Sequence, residues 1–104
     1  MKNKVIHMMV LSRELKFGYD HFTVNKELET CFSTLEHKTI FKHEIMKPSY
    51  GRIYYFDKSN EYEYKKMLVD SRMKELDNHI KNYQKSILNK QRELIKLEML
   101  KEKL

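Results

Sequence analysis

Apolar side chains recur at alternating spacings of four and three residues along the second half of the chain. The pattern begins at Tyr62 and runs to the last residue; ten of its thirteen positions are apolar and the other three are lysines. The segment from Arg52 to Leu104 contains neither glycine nor proline. These features predict one amphipathic helix from about Ser59 onward, roughly 65–70 Å long at 1.5 Å per residue.

A stripe of this length is too long for a small N-terminal domain to cover, so it predicts a homodimer held by a coiled coil. The predicted contact residues occupy a and d positions of the heptad. They are Val69, Met73, Leu76, Ile80, Tyr83, Ile87, Leu94 and Leu97.

The charged positions beside the stripe leave the orientation of the two helices open. A parallel pair brings Arg72 near Asp77 of the second copy, but it also brings Glu93 near Glu98. An antiparallel pair aligns the e positions with one another, so acid faces acid. Surface ion pairs contribute only tenths of a kcal/mol each, about 0.2–1 kcal/mol at most, which is too little to decide. A helix that folds back on itself near residues 77–82 is a further alternative.

The N-terminal half predicts three helices before any strand. The apolar run Val5–Leu15 predicts a buried helix that ends near Gly18, and Tyr19–Thr23 predicts one or two turns of a second helix. A third helix is predicted over residues 24–37. Its buried face would carry four side chains at i, i+3, i+4 and i+7, namely Leu28, Cys31, Phe32 and Leu35.

Two strands follow, because residues 39–45 and 52–56 are rich in β-branched and aromatic side chains. The intervening segment Lys47–Gly51 contains proline, serine and glycine, which are turn residues. The sequence therefore predicts a β-hairpin with a basic tip. Asp57 is then a suitable N-cap for the long helix.

This order of elements predicts a mainly α protein with a β-hairpin wing. Residues 1–57 would form a winged helix-turn-helix head, and residues 58–104 would form the long C-terminal coiled-coil helix. In such a head one helix enters the major groove of DNA and the hairpin touches the adjacent backbone or minor groove.

Short motifs in this region resemble those of winged-helix regulators. Phe32–Ile40 resembles the segment that closes the recognition helix and enters the wing in PadR-like proteins, and Phe17–Asp20 resembles their aromatic-Gly-Tyr-acid signature. Tyr54–Phe56 resembles the wing exit of bacterial replication terminator proteins. The resemblance spans roughly Val5 to Ile80. It implies a DNA-binding head and dimerisation through a long C-terminal helix.

The charge of the chain agrees with a nucleic-acid partner, since the formal net charge is +6 and the sequence pI is about 9.3. Phosphate contacts are made best by basic side chains and small hydroxyl donors. The predicted DNA-binding residues are Lys26, Thr30, Ser33, Thr34 and His37 on the recognition helix, and Lys38, Lys42, His43, Lys47, Ser49, Tyr50 and Arg52 on the wing.

Other functional classes find little support in the sequence. The five histidines lack metal-site spacing, no glycine-rich phosphate loop is present, and the acids alternate with lysines, so we expect no enzyme, metal or cofactor. No apolar run approaches the length of a membrane span. The single cysteine, Cys31, fits a reducing compartment, and we expect a cytoplasmic protein.

The expected function is that of a dimeric, sequence-specific double-stranded DNA-binding protein acting as a transcriptional repressor. Two alternatives remain: a protein-interaction module that inhibits or adapts a host protein, and a replication termination or segregation factor. The Lys-, Asn-, Ile- and Tyr-rich composition suits a phage or plasmid gene product.

Overall fold

Five antiparallel strands and one long helix dominate residues 4–104, the part of the chain that the computed structural model describes. The structure divides into an N-terminal unit that ends at Arg72 and a C-terminal unit, Met73–Leu104. The elements are β1 (Val5–Leu11), β2 (Phe17–Glu27), β3 (Cys31–Thr34), β4 (Thr39–Phe41), a 3-10 turn (Lys42–Glu44), β5 (Arg52–Tyr55), a second 3-10 turn (Lys58–Asn60) and α1 (Glu61–Lys103).

The strands form a single curled sheet in the order β4-β3-β2-β1-β5. The first four strands follow one another as a meander, and β5 then returns to pair with β1. Ile45, which follows β4, forms a parallel bridge to Tyr54 in β5. Strands β4 and β5 are the two edges of the sheet, and this bridge connects the segment after β4 to β5. The sheet therefore curls into a half-barrel.

Strand β1 lies at the centre of the packing because both of its faces are covered. On the concave face Ile6 belongs to a buried cluster with Phe22, Val24, Phe32, Ile40 and Tyr54. On the other face Met9 and Leu11 belong to a second cluster with Ile53, Tyr55, Tyr64 and Leu68. The last two of these side chains come from α1, so the start of the helix covers the outer face of the sheet.

The first turns of α1 are attached to the sheet by a row of residues four apart. Asp57 accepts a hydrogen bond from the Ser59 amide at 2.9 Å and so caps the 3-10 turn before α1, not the long helix for which a cap was predicted. Tyr64 packs on Tyr55 with ring centroids 4.3 Å apart. Eight residues on, the Arg72 guanidinium donates a hydrogen bond of 2.9 Å to the Leu11 carbonyl.

The predicted winged helix-turn-helix head is wrong. Residues 4–60 contain no α-helix, and the predicted helix Val5–Leu15 is β1 followed by a turn. Because β1 is buried on both faces, it lacks the alternation of apolar and polar residues that marks a one-sided strand. The predicted short helix Tyr19–Thr23 lies within β2.

The predicted recognition helix over residues 24–37 is wrong as well. That segment is the end of β2, a turn and β3, and the helical spacing of its apolar residues does not describe one buried face. Phe32 is buried in the concave cluster, whereas Leu28 and Leu35 are 42% and 52% exposed. Tertiary packing, not local periodicity, determines the conformation of this segment.

The predicted hairpin is wrong in its pairing, although its strands are partly correct. Arg52–Tyr55 is a strand, and Thr39–Phe41 is a strand that gives way to the 3-10 turn at Lys42–Glu44. The two strands lie at opposite edges of the sheet, however, and β5 pairs with β1. The segment between them does turn, with Tyr50 and Gly51 at φ angles of 52° and 76°.

The predicted long helix is confirmed, and α1 runs over 43 residues. None of its residues in the C-terminal unit is buried. Seven of the eight predicted contact residues, Met73 to Leu97, lie in this unit and are 53–69% exposed, and Val69 is 40% exposed. Within the described residues, no helix combines the length and apolar character that a membrane crossing requires.

Substitution of Gly51 by alanine should destabilise the N-terminal unit. The residue has a φ of +76°, and an added Cβ would lie 3.1 Å from the Leu11 carbonyl oxygen and 3.0 Å from the Arg72 guanidinium. We expect Gly51→Ala to lower the free energy of unfolding by about 1–3 kcal/mol, measured by urea denaturation with tyrosine fluorescence. Gly18→Ala is the control, because nothing lies within 4 Å of its Cβ position. Equal effects of the two substitutions would contradict the strained role of Gly51.

Candidate functional site

A small cleft at the turn before β5 gathers basic, hydroxyl and aromatic side chains. Its volume is about 180 Å³. This is below the ~300–1,000 Å³ of a drug-sized ligand site, so it suits a single small group. The lining residues are His43, Glu44, Lys47, Ser49, Tyr50, Arg52 and Tyr54. We call this set the β5 cleft.

The backbone around the β5 cleft is held by hydrogen bonds between main-chain groups, and two of its residues have unusual dihedral angles. Ser49 and Arg52 exchange backbone bonds of 2.9 and 3.1 Å, and the Met46 amide donates to the Tyr54 carbonyl at 2.8 Å. Met46 and Tyr50 have φ angles of 63° and 52°, values that L-residues other than Gly, Asn and Asp adopt rarely. Such local strain persists where the surrounding structure fixes it, and it is frequent at binding sites.

Tyr54 connects the β5 cleft to the concave core. Its ring is buried in the cluster that contains Phe22, and its hydroxyl group has no hydrogen-bond partner among the described residues. Two cations lie near the ring: the Arg52 guanidinium is 5.8 Å from its centroid and the Lys38 ammonium is 6.0 Å from it. Cations at these distances are attracted by the aromatic face. Positive charge is therefore concentrated at this end of the half-barrel.

The charge balance inside the β5 cleft favours an anion. Lys47 and Arg52 bring two permanent positive charges, against the one negative charge of Glu44. Ser49 and Tyr50 add hydroxyl groups, and the His43 ring stacks on Phe41 with centroids 5.6 Å apart. Guanidinium, ammonium and hydroxyl groups are the usual donors to phosphate oxygens. The chemistry that this arrangement supports is anion binding.

The structure brings together only part of the predicted DNA-binding set. His43, Lys47, Ser49, Tyr50 and Arg52 share the β5 cleft. The residues assigned to the recognition helix are distributed over β2, β3 and the turns beside them, and they are Lys26, Thr30, Ser33, Thr34 and His37.

Two members of the predicted set, Thr34 and Lys42, use their side chains in structural contacts. The buried Thr34 hydroxyl group donates to the Lys38 carbonyl at 2.8 Å. Lys42 forms a 3.0 Å ion pair with Glu27, and this hydrogen bond lowers the pKa of the Glu27 carboxyl group. Lys42 is therefore less available to a ligand than Lys47.

A second cleft of about 340 Å³ lies on the other face of the sheet, where β1, β2 and the beginning of α1 meet. Its lining has mixed charge and consists of His7, Tyr19, Asp20, His21, Tyr55, Lys58 and Glu61. Sequence reasoning selected none of these residues. The register of β1 and β2 places His7 directly opposite His21. This register depends on tertiary structure, and no local sequence motif predicts it.

Two groups in the second cleft, His7 and Tyr55, have shifted pKa values. Burial, helped by the nearby Lys58 and His21, lowers the pKa of His7, whose ring stacks on Tyr55 at 5.6 Å. Burial, helped by Glu61, raises the pKa of Tyr55 to about 12. No group of three or more His, Cys, Asp or Glu side chains within residues 4–104 is arranged to hold a metal ion. The cleft thus holds a neutral His7 and a neutral Tyr55 near pH 7.

Comparisons with known proteins give no relative: no family model, no curated protein and no solved structure matches this chain.

The lowered pKa of His7 predicts that mild acid destabilises the fold. The unfolded chain takes up a proton near pH 6.5, whereas the folded chain does so only at lower pH, so the free energy of unfolding falls as the pH drops below about 6.5. Urea denaturation at pH 7.5 and pH 5.5 measures the difference. His7→Phe should reduce it, and His79→Asn in the C-terminal unit should not. The same pH dependence in wild type and His7→Phe would contradict the assignment.

Proposed function

We propose that this protein is a non-enzymatic, homodimeric double-stranded DNA-binding protein that regulates transcription, most simply as a repressor that occupies its site. In this proposal the C-terminal helices join two copies, and the β5 cleft of each copy contacts DNA phosphates. The proposal includes no helix-turn-helix, because residues 4–60 contain no α-helix to enter a groove.

Support for DNA binding comes from the β5 cleft. Five of the twelve side chains selected for phosphate chemistry line this one cleft, although the fold that suggested them is wrong. Phosphate contacts supply most of the affinity of a duplex-binding protein and are independent of which element presents the donors. Two copies would double the number of contacts, and linked contacts bind more tightly than separate ones.

Support for self-association comes from the C-terminal unit. Its apolar residues keep the heptad spacing, yet none is buried in a single chain. Isolated helices are only marginally stable in water, and most helical stability in proteins comes from the packing of an apolar face. A second copy of the same helix offers a matching stripe.

A protein-interaction module is the second candidate, and the charge of the N-terminal unit favours it. Between residues 4 and 72 there are twelve basic side chains and ten acidic ones, so this unit is less basic than the whole chain suggests. Phe41 and Phe56 are 43% and 42% exposed and lie near the edges of the sheet. A gel shift with duplex DNA at increasing salt separates the candidates, because only the DNA-binding protein gives a salt-sensitive complex.

Loss of the cleft charges should weaken DNA binding. We expect the double substitution Lys47→Glu and Arg52→Gln to lower duplex affinity by roughly 10–100-fold and to reduce the slope of log K against log salt by about 1–2. Lys16→Glu with Arg13→Gln is the matched control, since both residues are exposed in the β1–β2 turn and neither lines the cleft. Unchanged binding by the cleft variant, or equal losses in both variants, would remove the β5 cleft from the interface.

Charges placed in the apolar stripe should abolish self-association. Ile80→Glu with Ile87→Glu puts two carboxylates at a positions seven residues apart, and we expect a monomer by analytical ultracentrifugation at micromolar concentration. Asn82→Glu with Asn89→Glu introduces the same charges with the same spacing at c positions, outside the predicted contact, and should remain dimeric. A monomeric wild-type protein would contradict the self-association.

A further inference from the structure

We infer that the C-terminal units pair as an antiparallel coiled coil with a second copy of the chain, in the register that places Met73 of one copy opposite Leu104 of the other. This inference rests on the proposed self-association and adds the orientation and the register. The paired surface consists of the a and d positions of the C-terminal unit: Met73, Leu76, Ile80, Tyr83, Ile87, Lys90, Leu94, Leu97, Lys101 and Leu104.

The structure weakens the case for a parallel pair, because the basic residues that would support it already contact their own N-terminal unit. Arg72, which would meet Asp77 of a parallel partner, donates to the Leu11 carbonyl at 2.9 Å. The Lys65 ammonium, which would meet Asp70, lies over the Phe17 and Tyr19 rings at 5.4 and 6.0 Å. A parallel pair also brings Glu93 near Glu98. Without the two ion pairs of Arg72 and Lys65, no attraction between charged side chains offsets this repulsion.

Lysines within the stripe give a second argument against the parallel arrangement. In a parallel, in-register pair each core position faces its own equivalent, so Lys90 faces Lys90 and Lys101 faces Lys101. A parallel pair that extends to Tyr62 and Val69 gains two apolar layers but also brings Lys66 against Lys66. Like charges at facing positions oppose association, and a lysine at such a position is a known determinant of register.

The antiparallel register removes every one of these contacts between lysines. A two-fold axis across the middle of the unit makes contacts reciprocal, so residue i meets residue j and j meets i. Lys90 then faces Ile87, and Lys101 faces Leu76. A lysine stem can cover an apolar side chain while its ammonium group reaches solvent or an acid.

The remaining layers of the antiparallel register are apolar on both sides. Ile80 meets Leu97, Tyr83 meets Leu94, and Met73 meets Leu104. All ten a and d positions of the C-terminal unit are covered, whereas a shift by one heptad in either direction leaves two of the ten in each chain without a facing position in the unit. Among antiparallel registers this one therefore buries the most apolar surface of the unit.

The antiparallel pair brings acidic side chains at e positions close to one another, and nearby lysines offset the repulsion between them. The register brings Asp77 close to Glu98 of the second copy. Asp77 already forms a 2.9 Å ion pair with Lys81 in the same helix. Lys101 stands three residues after Glu98 and opposite Leu76, so its ammonium group lies between the two carboxylates. The Gln84 and Gln91 side chains, which are uncharged, meet at the other e positions.

Cysteine cross-linking tests the orientation directly. In a Cys31→Ser background, Leu76→Cys and Lys101→Cys are made in separate chains, mixed in equal amounts, exchanged under reducing conditions and then oxidised. We expect an interchain disulfide in the mixture and none in either variant alone. In the antiparallel pair the two positions 76 lie about 37 Å apart along the axis at 1.5 Å per residue, far beyond the ~7 Å that a disulfide spans between Cα atoms. Ile80→Cys with Leu97→Cys is a second pair at another layer.

The possible outcomes separate the orientation and register inferred here from the proposed self-association. A disulfide in Leu76→Cys alone shows a parallel pair and overturns the orientation, while self-association stands. If ultracentrifugation shows a dimer of the reduced variants but neither mixture forms a disulfide, the register is wrong. A monomeric wild-type chain overturns both the self-association and this inference.

Discussion

Burial of β1 on both faces is the constraint on which the N-terminal unit depends. Ile6 and Met9 are fully buried on opposite sides of the same strand, in two separate apolar clusters. Complete burial of such a side chain contributes about 1.5–3 kcal/mol. The concave cluster requires β2, β3 and β4 to curl around it, and the outer cluster requires the beginning of α1. One strand therefore couples the curl of the sheet to the attachment of the helix.

The same coupling shapes both clefts. Tyr54 and Tyr55 are neighbours in β5, and alternation along the strand directs one into the concave cluster and the other into the outer cluster. Tyr54 thereby borders the β5 cleft, with cationic groups around its ring, whereas Tyr55 borders the second cleft beside His7. The loop before β5 is fixed at Gly51, whose position allows the Leu11 carbonyl to accept a bond from Arg72.

The C-terminal unit follows a different principle. It has a regular apolar pattern but no buried residue, whereas most helical stability in proteins comes from the packing of an apolar face. The N-terminal unit includes the first turns of α1, where Arg72 donates a hydrogen bond to the Leu11 carbonyl and Lys65 lies over the Phe17 ring.

The sequence by itself determined the long helix, the strand character of Arg52–Tyr55, the turn at Lys47–Gly51 and a basic cluster before β5. These features are local: heptad spacing, β-branched and aromatic runs, and turn and cap residues act within a few positions. Five side chains of the β5 cleft were identified for the same reason, since they are close together in the chain.

Only the tertiary structure decided that β1, β2 and β3 are strands, that β5 pairs with β1, and that His7 pairs with His21. A strand that is buried on both faces shows no alternation of apolar and polar residues. Leu28 and Leu35 have helical spacing, yet both are exposed and share no buried face. Strand pairing joins residues far apart in the chain, so its energy is absent from any local pattern.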